Sequence, residues 1–105
     1  MFIAVYRWKV KQGLEEQFRE GWRRGTVAIR RRHGSFGSRL HRTREGDFVG
    51  YAQWPSEELW QSVYDAKFPH DDKEAGRMFR DAIEVSYGPE LLMEVTDDLL
   101  DLMRG

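Results

Sequence analysis

The spacing of apolar and polar residues predicts a βαββαβ order of elements. A long helix is expected over residues 14–33, because apolar side chains recur there at helical spacing and Gly34 follows as a stop signal. Ser56 is a typical N-cap for a second helix, and residues 68–72 divide this helical region in two. The sequence also predicts a short terminal helix over residues 97–103. The predicted strands are residues 2–10, 36–44, 48–54 and 91–96.

This order predicts a ferredoxin-like α+β fold, in which the helices cover one face of an antiparallel four-stranded sheet. A chain of 105 residues suggests a single domain over 1–105, with residues 97–105 as a C-terminal extension. The first strand is apolar on both faces, since Ile3 and Val5 alternate with Ala4 and Tyr6. An uncovered apolar face marks an interface, which predicts a homodimer with sheets packed face to face. The alternative is that such side chains remain singly exposed.

Charge and composition exclude several classes of protein. Lys and Arg together number 17 and Asp and Glu 18, a balance that argues against binding to nucleic acid or an anionic membrane. RNA-recognition domains share the βαββαβ order, but Glu45 and Asp47 fall within their third-strand motif and would repel phosphate. Cysteine is absent, and the chain shows neither a signal peptide nor a membrane span, so we expect a cytoplasmic protein. No histidines or carboxylates have convincing metal spacing.

Three segments resemble the antibiotic biosynthesis monooxygenase family of dimeric α+β barrels. They are the opening strand from Phe2 to Trp8, the turn at Gly13 before an amphipathic helix, and the pattern Tyr51-x-x-Trp54-x-Ser56-x-Glu58-x-Trp60. The resemblance covers nearly the whole chain. It implies a dimeric barrel that binds a small aromatic substrate and O₂. The family includes cofactor-free oxygenases of phenolic and quinol-type compounds, haem-degrading enzymes and members without known activity.

The resemblance also suggests which residues form the site. In the haem-degrading relatives, a Trp and a His at the spacing of Trp60 and His70 flank the ligand, and the His binds the iron. Those relatives use an Asn at the position of Tyr6, whereas this chain contains no Asn. A Tyr can still donate a hydrogen bond to a substrate oxygen.

We therefore predict a catalytic set and a substrate-binding set. The catalytic residues are Tyr6, Trp60 and His70, with His70 as the best candidate base because the pKa of histidine lies near neutrality. The predicted substrate-binding residues are Trp22, Tyr51 and Phe79. The simpler alternatives are that the aromatic residues are core and that His70 lies in an ordinary solvent-facing loop.

Three functions follow from these observations. The first is a small cofactor-independent monooxygenase acting on a phenolic or quinol-type aromatic substrate, with no metal. The second is a haem-binding or haem-degrading protein that uses His70. The third is a non-enzymatic ligand-binding dimer, which the missing Asn keeps open.

Overall fold

A computed structural model describes residues 1–100, which form four strands and three helices. The strands are β1 (Phe2–Val10), β2 (Gly37–Arg42), β3 (Phe48–Trp54) and β4 (Ile83–Glu94). The helices are α1 (Glu15–His33), α2 (Glu57–Asp65) and α3 (Lys73–Ala82). No helix within these residues has the length and apolar content needed to cross a membrane.

The sheet has the strand order β2-β3-β1-β4, and every neighbouring pair is antiparallel. The predicted ferredoxin-like α+β fold is therefore confirmed. The helices cover one face of this sheet. On that face Phe2, Ala4 and Trp54 pack with Trp60 of α2, and Trp8 packs with Phe18 of α1.

Local signals in the sequence explain where the helices begin and end. Helix α1 carries Glu15 and Glu16 in its first turn and basic residues in its last, as the helix dipole favours. It ends at Gly34, whose φ of 80° is the left-handed conformation typical of a terminating glycine. Helix α2 begins at Ser56, whose hydroxyl accepts a hydrogen bond from the Leu59 N–H at 3.1 Å. These starts and stops agree with the sequence-based expectations.

Strand β4 is longer than the predicted strand over residues 91–96 and passes through Gly88 and Pro89, a pair that locally favours a break. It already begins at Ile83, and Lys9 of β1 pairs with Val85 on it. Gly88 and Pro89 lie where the pairing register between β1 and β4 shifts. Because β4 is an edge strand, the missing N–H of the proline is tolerated there. Pairing along the whole of β1 therefore overrides the local break signal.

Two smaller boundaries also differ. Strand β2 covers Gly37–Arg42 and not the predicted residues 36–44. The terminal helix predicted over residues 97–103 is not formed at residues 97–100, and the remainder of that prediction lies outside the described residues. A helix of so few residues is marginal in water unless tertiary packing stabilises it.

The face of the sheet opposite the helices is apolar at its centre. Val5 of β1 pairs with Tyr51 of β3 on one side and with Leu91 of β4 on the other, so the three side chains share this face. Leu91 is 54% exposed, and Met93 beside it is also exposed. We call these residues, together with Val49, the open sheet face. Within residues 1–100 no helix covers it.

Helices α1 and α3 approach each other closely at Gly21. A Cβ atom built on Gly21 would lie 2.7 Å from the Phe79 backbone nitrogen and 2.9 Å from the Ala75 carbonyl oxygen. Both neighbours are backbone atoms, so a side-chain rotation cannot relieve the clash. This crossing holds α3 against α1 and brings Phe79 over the sheet.

Candidate active site

A cavity of about 370 Å³ lies between the helices and the sheet face that they cover. Its size is within the range of pockets that bind small molecules. Helix α1 contributes Trp22, the segment between α2 and α3 contributes Phe68, and α3 contributes Phe79. Rings therefore form much of the wall, which suits a flat apolar ligand.

Four of the six predicted site residues line this cavity, namely Tyr6, Trp22, His70 and Phe79. The fold thus brings together residues that lie far apart in the sequence.

The other two predicted residues are placed differently. Trp60 is not in the wall. It is 2% exposed and lies behind Tyr6, which it contacts. Tyr51 was expected to help form the wall, but it lies on the open sheet face, because it pairs with Val5 and alternates with the inward-facing Ala52. The expectation that Tyr51 lines the cavity is corrected by this register.

The Tyr6 hydroxyl and the Trp60 indole form a hydrogen bond at the edge of the cavity. Trp60 Nε1 donates to Tyr6 Oη at 2.6 Å. Among residues 1–100, no hydrogen bond is donated by the Tyr6 hydroxyl, so its proton is free for a ligand oxygen. An accepted hydrogen bond polarises a hydroxyl and makes it a better donor.

Burial keeps Tyr6 in its neutral form. The pKa of Tyr6 is raised to about 12, and burial is the main cause. The nearby Tyr64 also raises this pKa, whereas the hydrogen bond from Trp60 lowers it. The phenol therefore stays protonated across the physiological pH range and can donate, but it cannot act as a phenolate base there.

This raised pKa predicts a loss of stability in alkali. The neutral phenol stabilises the fold fully below pH 10, the pKa of unperturbed tyrosine, and the effect disappears as the pH rises through the folded-state pKa of about 12. We expect the wild-type protein to lose about 2 kcal/mol more of its unfolding free energy than Tyr6→Phe by about pH 12. Urea denaturation of both proteins at neutral and alkaline pH measures this difference. Equal losses would contradict it.

His70 presents one ring nitrogen to the cavity and uses the other in the loop. Its Nδ1 accepts a hydrogen bond from the Asp72 N–H at 3.2 Å. The neutral ring therefore carries its proton on Nε2, since the Nδ1 lone pair is occupied. Nε2 lies 3.7 Å from the position of a Cβ built on Gly25 of α1. His70 is thus arranged as a hydrogen-bond donor, which argues against its predicted role as the base.

The loop that carries His70 is held at several points. The His33 ring Nε2 lies 2.5 Å from the Pro69 carbonyl oxygen, which accepts a hydrogen bond from it. Arg24 of α1 donates two hydrogen bonds to the Asp72 carboxylate, from Nη2 at 2.8 Å and from Nε at 3.0 Å. This hydrogen bonding lowers the pKa of Asp72 below its usual range. Asp72 also caps α3 by accepting from the Ala75 N–H at 3.0 Å. These contacts fix the position of His70 relative to α1.

The same hydrogen bonds determine whether haem fits the site. A histidine that binds iron through Nε2 needs a free lone pair on that nitrogen, and its Nδ1–H usually donates to a second partner. Here the Nδ1 of His70 accepts a hydrogen bond from the Asp72 backbone N–H, so the ring proton is on Nε2, which has no free lone pair. The residues present therefore do not fit a haem iron. Within residues 1–100, no group of three acidic or histidine side chains is arranged to hold a metal ion.

Sequence reasoning missed several residues of the cavity. Phe68 lies near the rings of Tyr6 and Trp54, with centroids 6.1 and 6.3 Å away. Lys67 and Arg80 bring positive charge to the wall. The position of Lys67 depends on a left-handed loop conformation that local propensity does not reveal.

Comparisons with known proteins identify relatives by structure alone. No protein-family model matches this sequence, and neither does any curated protein. SnoaB, a cofactor-independent oxygenase from Streptomyces nogalater, is 16% identical, with a TM-score of 0.68 over 94% of this chain and 96% of that one. A Bordetella bronchiseptica protein assigned as an antibiotic biosynthesis monooxygenase is 17% identical, with a TM-score of 0.70 over 90% and 96%. Rv0793 from Mycobacterium tuberculosis has a TM-score of 0.65 at 9% identity, over 92% and 96%.

The matches span nearly the full length of both chains, so the likeness concerns the whole domain and not a single motif. The resemblance drawn from the sequence is confirmed at the level of the fold: the chain has the fold of the antibiotic biosynthesis monooxygenases.

Proposed function

We propose that this protein is a small cofactor-independent monooxygenase acting on a phenolic or quinol-type aromatic substrate. The observation that carries the proposal is the neutral Tyr6 hydroxyl, held by Trp60, with its proton free in a ring-lined cavity. The shared fold with SnoaB, described as a cofactor-independent oxygenase, supports it.

The chemistry needs no metal because the substrate itself supplies the electrons. A phenolate is electron-rich at its ring carbons and can transfer an electron to O₂, after which carbon and oxygen combine to a ring hydroperoxide. Loss of the ring proton and cleavage of the O–O bond then give a quinone and one water. One oxygen atom becomes the new carbonyl and the other leaves as water, so no external reductant is consumed.

The residues of the cavity would hold the anion in place. The Tyr6 O–H and the His70 Nε2–H can both donate to the phenolate oxygen, and donors fixed in position in a mainly apolar cavity stabilise such charge. Trp22 and Phe79 would confine the flat ring. We assign no protein base, because the acceptor nitrogen of His70 is occupied. The phenolic proton would leave to solvent.

Oxygen consumption tests this proposal. Purified protein in metal-chelated buffer is mixed with a panel of naphthols and hydroquinones, and an oxygen electrode records the rate above the uncatalysed reaction. We expect at least one member of the panel to be turned over. If every member is inert although some bind, the protein is a non-enzymatic ligand-binding dimer and the monooxygenase proposal is wrong.

The proposal includes a homodimer formed through the open sheet face. Val5 and Leu91 lie at the centre of this face, and Leu91 is 54% exposed. Two copies packed face to face would bury these side chains and the rings beside them. Exposed contiguous apolar surface of this kind marks protein interfaces.

Replacing Leu91 by aspartate is expected to convert the dimer to a monomer at micromolar concentration. The charge would be buried without a partner in the proposed interface, which is strongly unfavourable. Sedimentation velocity measures the change. Leu92→Asp is the matched control, because Leu92 pairs with Ala4, which lies on the helix-covered face of the sheet, and is itself exposed. A wild-type protein that sediments as a folded monomer contradicts the proposed dimer.

A further inference from the structure

The cavity carries positive charge without a compensating carboxylate. Lys67 and Arg80 are the permanent cations among its lining residues, and no Asp or Glu lines it within residues 1–100. Neither cation forms an ion pair in that part of the chain. A cleft lined by one sign of charge concentrates ligands of the opposite sign.

Lys67 occupies a backbone position that favours glycine. Its φ is 67°, and that of Phe68 is 49°. The Phe68 N–H bonds to the Val63 carbonyl and the Lys67 N–H to the Tyr64 carbonyl, which is the Schellman arrangement at the end of α2. Glycine at residue 67 would adopt this conformation without strain. Glycine would suit this backbone conformation at least as well as lysine. The lysine side chain differs by bringing an amine to the cavity.

Arg80 lies directly against the backbone of its own helix. Its Nη1 would be 2.9 Å from a Cβ built on Gly76, one turn earlier in α3. Gly76 is buried and also lines the cavity. The guanidinium therefore lies over residue 76, and a methyl group there would require it to shift slightly. Lys67 and Arg80 thus bring two cations to one cavity.

The cations and the phenol donor of the cavity differ in burial. The Tyr6 hydroxyl contacts Trp60, which is 2% exposed, so this part of the cavity is closed. Lys67 and Arg80 are exposed and mark the mouth. We propose that the substrate is a hydroxylated aromatic acid, with its phenolic oxygen at Tyr6 and a carboxylate at the opposite end facing Lys67 and Arg80. This inference rests on the proposed function and names the substrate class of that site.

Calorimetric titration of the full chain tests the carboxylate directly. The probes are 6-hydroxy-2-naphthoate, which has the hydroxyl and the carboxylate at opposite ends, and 2-naphthol, which lacks the carboxylate. At neutral pH we expect the naphthoate to bind about tenfold more tightly, as a hydrogen bond to a charged group would give. Added salt should weaken the naphthoate and leave the naphthol unchanged.

Two variants separate charge from structure. Lys67→Gly removes the amine and relieves the left-handed strain, and Arg80→Met removes the guanidinium charge while keeping an unbranched side chain with good helix propensity. Each should weaken the naphthoate about threefold, so that together they account for the carboxylate's advantage, without lowering the melting temperature or changing naphthol binding. Arg77→Leu is the control, since Arg77 is on the same helix but outside the cavity and pairs with Asp81.

The inference is overturned if the naphthoate fails to bind, if it binds no more tightly than the naphthol, or if both variants weaken the two ligands equally. Its failure is distinguishable from that of the monooxygenase proposal. Selective, salt-sensitive binding without oxygen consumption would contradict the proposed reaction alone. Turnover of neutral quinols without any preference for the acid would contradict this inference alone.

Discussion

Tyr6→Phe is expected to lower the rate of substrate oxidation about 100-fold, with a smaller effect on substrate binding. The variant removes the hydroxyl proton that is proposed to stabilise the phenolate oxygen, while the ring and its packing remain. The neutral state of this hydroxyl follows from its burial, which raises its pKa to about 12. Stopped-flow or electrode measurements of oxygen uptake give the rate, and calorimetry gives the affinity.

A structural side effect of this variant is also expected. Without the Tyr6 oxygen, the buried Trp60 N–H has no acceptor, which should reduce the free energy of unfolding by about 2 kcal/mol. The protein should still fold, so the rate can be measured at low temperature. Tyr51→Phe is the matched control, because Tyr51 lies on the opposite face of the sheet. Equal rates in wild type and Tyr6→Phe would exclude Tyr6 from the chemistry.

Gly21→Ala is expected to lower the free energy of unfolding by about 3 kcal/mol. Within a helix this change normally stabilises, since alanine has the better helix propensity. Here the new methyl group would lie 2.7 Å from the Phe79 backbone nitrogen, so α1 and α3 must separate. Urea denaturation measures the loss.

Gly25→Ala, one turn further along α1, provides the comparison. Its Cβ would lie 3.7 Å from the His70 ring nitrogen, which is an ordinary contact distance. This variant should therefore be as stable as wild type or slightly more stable. Similar stabilities for the two variants would contradict the close helix crossing, because both substitutions are chemically identical and differ only in what the methyl group meets.

Much of the fold and part of the site could be predicted from periodicity. The alternation along β1 put Tyr6 on the same face as Ala4 and Trp8, and helical spacing turned Trp22 inward. Alternation along β3 places Tyr51 with Val5 on the opposite face of the sheet. Its predicted role in substrate binding at the cavity is therefore inconsistent with the alternation of side chains along a strand. Strand register decides such cases, and it depends on pairing between distant segments.

The remainder depended on features that a single sequence does not display. The left-handed conformations at Lys67 and Phe68 are set by how the end of α2 joins the following loop, and neither residue type favours them. The role of His70 depends on which of its nitrogens accepts the Asp72 N–H, which is a tertiary detail. The extension of β4 through Gly88 and Pro89 reflects pairing with β1, against the local preference of both residues.

The central claim is that the cavity beside Tyr6 and Trp60 transfers one atom of O₂ to an aromatic ring without a cofactor. Mass spectrometry of the product formed under isotopically labelled O₂, in metal-chelated buffer, tests it most directly. The account predicts a quinone that carries one labelled oxygen, with the second labelled atom in water. A quinone without the label, accompanied by hydrogen peroxide, would contradict it, because the protein would then oxidise the ring without oxygenating it.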